Sequence, residues 1–146
     1  MPIMLVRHGE AVASHGDDDA RYLTFRGRSE SRKVALALRA RGLVPTQLVS
    51  SPLVRAVQTG EIFAHAFEFE GTLTTEAALV PDGDAAQALR RLPISTGLTI
   101  VFTHEPIVRH LAALLAQEAT FPAFRTSGVV LFEGTRVTLS MSPETA

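Results

Sequence analysis

A chain of 146 residues, 46% hydrophobic and 20% charged, is long enough to bury a core of its own and too apolar to be disordered. Its formal net charge of −1 gives no electrostatic basis for a nucleic-acid or anionic-membrane partner. It has no cysteine, which excludes disulfides, thiolate metal sites and a cysteine nucleophile, and agrees with a reducing compartment.

The opening MPIMLVRHGE lacks the basic start and long apolar stretch of a signal peptide. No window reaches the ~18 apolar residues of a membrane helix, so a cytoplasmic protein is expected. Ile3 to Val6 is an unbroken apolar run that reads as a buried strand. Residues 9–24 are polar, carry Gly16 and the run Asp17-Asp18-Asp19, and read as a long loop of the kind that carries function or disorder. Thr24 is placed to cap a helix running to about Arg41, stopped by Gly42 and then Pro45.

Leu48 and Val49 belong to a second short strand, closed by Ser50-Ser51-Pro52. Leu53, Ala56, Val57, Gly60, Phe63 and Ala64 then recur at the spacing of one buried helix face. Thr72 to Thr75 reads as a short strand, and Asp84 caps a helix to about Leu92. Leu98 to Thr103 is the clearest strand in the chain. Pro106 suits the first turn of the next helix, whose Ile107, Leu111, Leu114 and Leu115 share a face; His110, beside Leu111, reads as a partly buried packing residue. Val129–Phe132 and Arg136–Leu139 flank Glu133-Gly134-Thr135 as a hairpin. With no repeat and no linker, residues 1–146 are expected to form a single domain. The alternation implies an α/β three-layer sandwich: a mostly parallel sheet flanked by helices, with an antiparallel hairpin near the C-terminus.

Ligands of such sheets bind beyond the carboxyl ends of the strands. The three best strands are followed by Arg7-His8-Gly9-Glu10, by Ser50-Ser51-Pro52-Leu53-Val54-Arg55-Ala56 and by His104-Glu105-Pro106. Singly, Arg55 reads as a solvated helix residue and His104 as a core-edge histidine. Together, two arginines and two histidines at one sheet edge suit phosphoryl transfer, which is catalysed by positioning and charge stabilisation. Arginine meets two phosphate oxygens with a planar fork, and a histidine of fixed tautomer can attack phosphorus. Gly9 would let the backbone turn tightly and bring an N–H to the bound oxygens. No metal and no cofactor is required by this set.

The motifs Arg7-His8-Gly9-Glu10, Ser51-Pro52-x-x-Arg55-Ala56-x-Gln58-Thr59 and Thr103-His104-Glu105-Pro106 resemble those of the histidine phosphatase superfamily, also called phosphoglycerate-mutase-like. Further matches at Arg21-x-Leu23-Thr24-x-x-Gly27, Glu30-Ser31-Arg32, Pro81-x-Gly83-Asp84 and Met141-Ser142-Pro143 spread the likeness over nearly the whole chain. Within the superfamily, the chain is similar to the short bacterial SixA-type phosphohistidine phosphatases. The resemblance implies a phosphoglycerate-mutase-like fold and a covalent phosphohistidine intermediate. It makes His8 the nucleophile, Arg7 and Arg55 the ligands of the phosphoryl oxygens, and His104 a stabiliser of the transition state. Arg21, in the long loop, would close over the substrate.

Ester-cleaving relatives keep a glutamate proton donor near the stretch Glu76-Ala77-Ala78-Leu79-Val80, where Ala78 stands at the expected position and Glu76 is offset. An alkoxide needs protonation badly, whereas imidazole, with a pKa of about 6.5, needs it less, which favours a phosphoramidate substrate. Asp18, which matches an aspartate of the SixA type, is the other candidate general acid, against the reading of Asp17-Asp18-Asp19 as a solvated loop. His15, in the same loop, is within reach of the pocket, and His65 lies near a helix end where a cation is favoured. The expected partner is a phosphorylated protein, such as a histidine phosphotransfer domain, since the short chain has no room for cap insertions. The alternatives are a small-molecule phosphomonoesterase of the same fold and a non-catalytic phosphate-binding module.

Overall fold

The computed structural model describes residues 1–14, 16–93 and 95–146. Its sheet has six strands: β1 (Pro2–Arg7), β2 (Pro45–Ser50), β3 (Thr74–Thr75), β4 (Leu98–Thr103), β5 (Val129–Glu133) and β6 (Arg136–Met141), in the order β3-β2-β4-β1-β5-β6. The first four in that order run parallel, while β5 pairs antiparallel with β1 and β6 antiparallel with β5. The connections are the helices α1 (Phe25–Ala40), α2 (Val54–Ala66), α3 (Ala85–Arg91) and α4 (Ile107–Ala116).

Side chains alternate across a strand, so both faces of the sheet must be covered wherever the apolar run is unbroken. Ile3 and Leu5 face a core completed by Val101, Val130, Phe132 and the α4 residues Ile107, Val108, Leu111 and Ala112. Met4 and Val6 face the opposite core, with Ile100, Phe102, Leu131 and Val34, Leu38 and Phe63 from α1 and α2. The result is the expected three-layer α/β sandwich.

Thr24 caps α1 through its Oγ1, which accepts from the Gly27 N–H at 2.9 Å, and Asp84 caps α3 by accepting from Gln87 N–H at 3.0 Å. In the hairpin, Glu133 already pairs with Arg136, so the turn is the two residues Gly134-Thr135. Gly134 has φ 60°, a conformation that glycine adopts without steric cost. Among its described residues the loop after β1 carries a 3-10 turn at Asp18–Ala20 and an antiparallel bridge between Ala11 and Leu23, more structure than its composition suggests.

Helix α4 departs from the expected face. Leu114 is 47% exposed and His110 is exposed, while Val108 and Ala112 are buried beside Ile107 and Leu111. The apolar arc of this helix is wider than the stripe it buries, and the buried stripe is centred on Val108 and Leu111, away from His110. His15 lies outside the described residues. No helix of the described residues is long and apolar enough to cross a membrane.

Candidate active site

Register places the site. Arg7 pairs with Thr103, and Ser50 pairs with Phe102, so β1, β4 and β2 end side by side. The ladder runs one step further, with His8 N–H donating to Thr103 O (3.0 Å) and Ser51 N–H to Phe102 O (2.9 Å). His8, His104 and Ser51 therefore leave the sheet as neighbours, all buried. The rings of His8 and His104 lie 5.1 Å apart, centroid to centroid.

The tautomer of His8 follows from its partner. Its Nδ1 lies 2.7 Å from the Gly9 carbonyl oxygen, which can only accept, so Nδ1 carries the proton. Burial pushes the His8 pKa down to about 4; the Gly9 carbonyl opposes this, and Arg55, Arg7 and Arg21 add to it. The ring is neutral at pH 7, and Nε2 is left as an unprotonated lone pair. Burial likewise brings His104 down to about 3, assisted by His8 and Arg55. Arg7 and Arg55 oppose a proton on both rings, as expected of groups around one pocket.

Arg7 donates through Nη1 to the Phe124 carbonyl at 2.7 Å. The same residue donates its N–H to Glu105 Oε2 (2.6 Å), so Glu105 holds the segment that orients Arg7. Arg55, 3% exposed, donates through Nη1 to the Asp18 carbonyl (2.8 Å) and pairs through Nη2 with Asp18 Oδ2 (3.2 Å). Arg7 Nε, Arg55 Nε and His104 Nδ1 are buried without a hydrogen-bond partner. Buried polar groups are ordinarily satisfied, and three unsatisfied nitrogens beside one neutral histidine mark a place built to receive acceptor oxygens.

Sequence reasoning gave no role to Thr59, Ser31 or Ser127. Thr59 Oγ1 accepts from Gly9 N–H at 3.0 Å and donates to the Arg55 carbonyl at 2.8 Å, tying the nucleophile loop to α2. The signal was present: Thr59 stands four residues after Arg55, hence on the same helix face. Ser127 N–H is shared between the carbonyls of Arg7 and His8, and its Oγ bonds Ser31 Oγ at 2.9 Å. A Cβ on Gly9 would crowd Ser31 Oγ and the Gly27 carbonyl. Gly9 is thus demanded by close packing on α1, and its N–H is committed to Thr59 instead of being free for a ligand.

The two acid candidates are both otherwise engaged. Glu76 accepts from Ala78 N–H (2.7 Å) and pairs with Arg91 (3.5 Å). Asp18 is exposed, and its carboxyl is held below the usual range by hydrogen bonding to Arg21 and by the charge of Arg55. A carboxylate held ionised is an acceptor at neutral pH. Arg21 pairs with Asp18 Oδ1 (3.1 Å) and donates through Nε to the Val12 carbonyl (2.7 Å), which places it on the loop beside Arg55. His65 is exposed in the last turn of α2. Among the described residues no group of three or more His, Asp or Glu side chains is arranged to hold a metal ion.

Comparison with known proteins identifies the family. Phosphohistidine phosphatase SixA of Escherichia coli (strain K12) is 30% identical over 135 residues, 88% of this chain and 83% of that protein. The structure of the protein histidine phosphatase SixA complexed with tungstate superposes with a TM-score of 0.86 at 28% identity, covering 98% of this chain and 97% of that one. The mitochondrial serine/threonine-protein phosphatase Pgam5 of Drosophila yakuba is 35% identical over 81 residues, but this match spans 56% of the chain and only 28% of Pgam5. The profile described as "Histidine phosphatase superfamily (branch 1)" matches residues 3–80, the stretch that holds Arg7-His8-Gly9-Glu10 and Ser51 to Thr59. By motif, fold and profile, this chain belongs to the histidine phosphatase superfamily.

Proposed function

We propose that this chain is a phosphohistidine phosphatase that works through a covalent phosphohistidine on His8. The observation that carries the reading is the unprotonated Nε2 of His8 beside three buried nitrogens without partners, Arg7 Nε, Arg55 Nε and His104 Nδ1. In the first step Nε2 of His8 attacks phosphorus, the P–N bond to the substrate imidazole breaks, and its electron pair leaves with that ring. In the second step a water oxygen attacks phosphorus, the P–N bond to His8 breaks, the water's proton passes to solvent, and inorganic phosphate departs. Arg7 and Arg55 hold the phosphoryl oxygens throughout, and His104 stabilises the charge of each transition state.

The substrate class follows from the engaged carboxylates. A phosphohistidine ring protonated on its other nitrogen departs as neutral imidazole and needs no acid at the breaking bond. An alkyl phosphate leaves as an alkoxide and does. Asp18 is assigned a different part: its carboxylate occupies the Arg55 fork until the phosphoryl group displaces it, with Arg21 following the loop over the bound group. Exposed Tyr22 (55%), Phe25 (88%) and Val54 (40%) stand at the starts of α1 and α2, on the edge of the sheet that carries the site. Apolar residues there suit a folded protein substrate, such as a histidine phosphotransfer domain, better than a sugar phosphate. The setting we assign is the cytoplasm, in keeping with a chain without cysteine, and residues 1–146 act as one domain around the shared sheet.

The test is rapid quench at high pH with 32P-labelled phosphohistidine protein. Acid-labile label is expected on His8, absent from His8→Ala, with turnover unaffected by EDTA. Faster cleavage of p-nitrophenyl phosphate than of phosphohistidine protein overturns the substrate assignment. Phosphate binding with no turnover of either substrate leaves a binding module instead.

A further inference from the structure

Ser51 is fully buried, one residue beyond the end of β2, and its backbone is pinned to β4 by the bond from Ser51 N–H to Phe102 O. Its Oγ lies 2.7 Å from His104 Nε2 and accepts from Leu53 N–H at 3.2 Å. A hydroxyl has one proton and two lone pairs. One lone pair is taken by Leu53. If Nε2 also donated to Oγ, the hydroxyl proton would need an acceptor of its own, and among the described residues Nε2 is the only partner within reach besides Leu53 N–H. A buried hydroxyl left without an acceptor costs about 1–3 kcal/mol. The proton therefore points at Nε2.

We propose that Ser51 is a positioning residue that fixes His104 as the Nδ1–H tautomer, so that the buried, unpartnered Nδ1 presents a hydrogen-bond donor to the phosphoryl oxygens. This deepens the phosphatase reading and rests on it for the link to turnover. The neutral state of His104 at pH 7 agrees with it, because only a neutral ring has a tautomer to choose. The division of labour is then symmetrical: the Gly9 carbonyl holds the proton on Nδ1 of His8 to expose a bare Nε2 to phosphorus, while Ser51 keeps Nε2 of His104 bare to expose Nδ1–H to oxygen. Ser51 acts through His104 and touches no reacting atom.

The tautomer is read directly by 15N chemical shifts of histidine-labelled protein at pH 7, with His104→Gln assigning the resonances. Wild type is expected to show His104 protonated on Nδ1 and bare on Nε2, and added inorganic phosphate is expected to shift the Nδ1–H resonance. In Ser51→Ala the ring should redistribute toward Nε2–H. There kcat should fall about tenfold, less than the 10²–10³ that loss of a whole donor costs, with KM little changed and with Ser51→Thr restoring most of it. A wild-type His104 protonated on Nε2 overturns the proposal, with no variant needed. A Ser51→Ala enzyme that folds and keeps kcat within twofold overturns it too. The tautomer measurement needs no turnover, so a protein inactive on every substrate but showing Nδ1–H refutes the phosphatase reading and upholds the assignment of Ser51.

Discussion

Asp18 stands at a motif position with two arginine side chains on its carboxylate. A general acid must carry a proton at working pH, and Arg21 and Arg55 both favour the ionised carboxyl. Its position on the Arg55 fork makes it a competitor for the anion. Asp18→Asn should therefore bind inorganic phosphate or tungstate more tightly, by about two- to fivefold, the worth of an exposed ion pair. Its kcat on phenyl phosphate should stay within twofold. An isothermal titration and a steady-state assay decide the matter: were Asp18 the acid, that kcat would drop by about 10²–10⁴ with affinity unchanged. The role of Arg55 as a cation near His8 could be read from the sequence because it follows a strand exit. Its partner could not, because Asp18 and Arg55 meet only when a loop of 37 residues' separation folds back.

Helix α1 shows how an element places a catalytic loop. Its first turn docks on the residues after His8: Thr24 N–H donates to the Glu10 carbonyl at 3.0 Å, and Gly27 lies so close that a Cβ there would overlap Glu10 O. Helix propensity alone says that Gly27→Ala should gain about 1 kcal/mol. The contact says the reverse. We expect a lower Tm and a lower kcat, since the helix can relieve the overlap only by pushing the Glu10 backbone and the nucleophile loop with it. Thermal unfolding checks this, and a raised Tm would refute it. Elements were legible wherever one signal dominated: the unbroken run of β4, the Thr24 and Asp84 caps, the glycine of the hairpin turn. On α4 apolar residues exceed the buried stripe, and spacing could not choose its centre, so Leu114 and His110 were misplaced. Ser51 and Thr59 sat inside a quoted motif, yet their types fit any buried helix start or turn, and only the distances to His104 and Gly9 gave them work.

For the whole molecule, an anion pocket at the carboxyl ends of the strands, lined by buried nitrogens without partners, is a cost to the ligand-free fold. His8 and His104 fold with pKa values of about 4 and about 3, against about 6.5 for an unfolded histidine. Above about pH 8 neither state binds a proton on these rings and they contribute nothing to pH dependence. Between about pH 6.5 and 4 the unfolded chain takes up two protons that the folded chain refuses, so stability falls as pH falls, by up to about 1.4 kcal/mol per pH unit for each ring. Near pH 4 the folded state begins to protonate His8, then His104, and this part of the loss levels off. Denaturant titrations at several pH values between 7 and 4 should show that slope. His8→Gln should lose about half of it, and a slope unchanged in the variant would mean that the ring is not buried as described. Phosphate binds only the folded state and supplies the missing acceptors and a negative charge beside both rings. It should raise stability at every pH, and most at the acid end, where a bound anion makes the imidazolium welcome. Acid sensitivity relieved by phosphate is the macroscopic signature of two neutral histidines and two arginines held together for an anion.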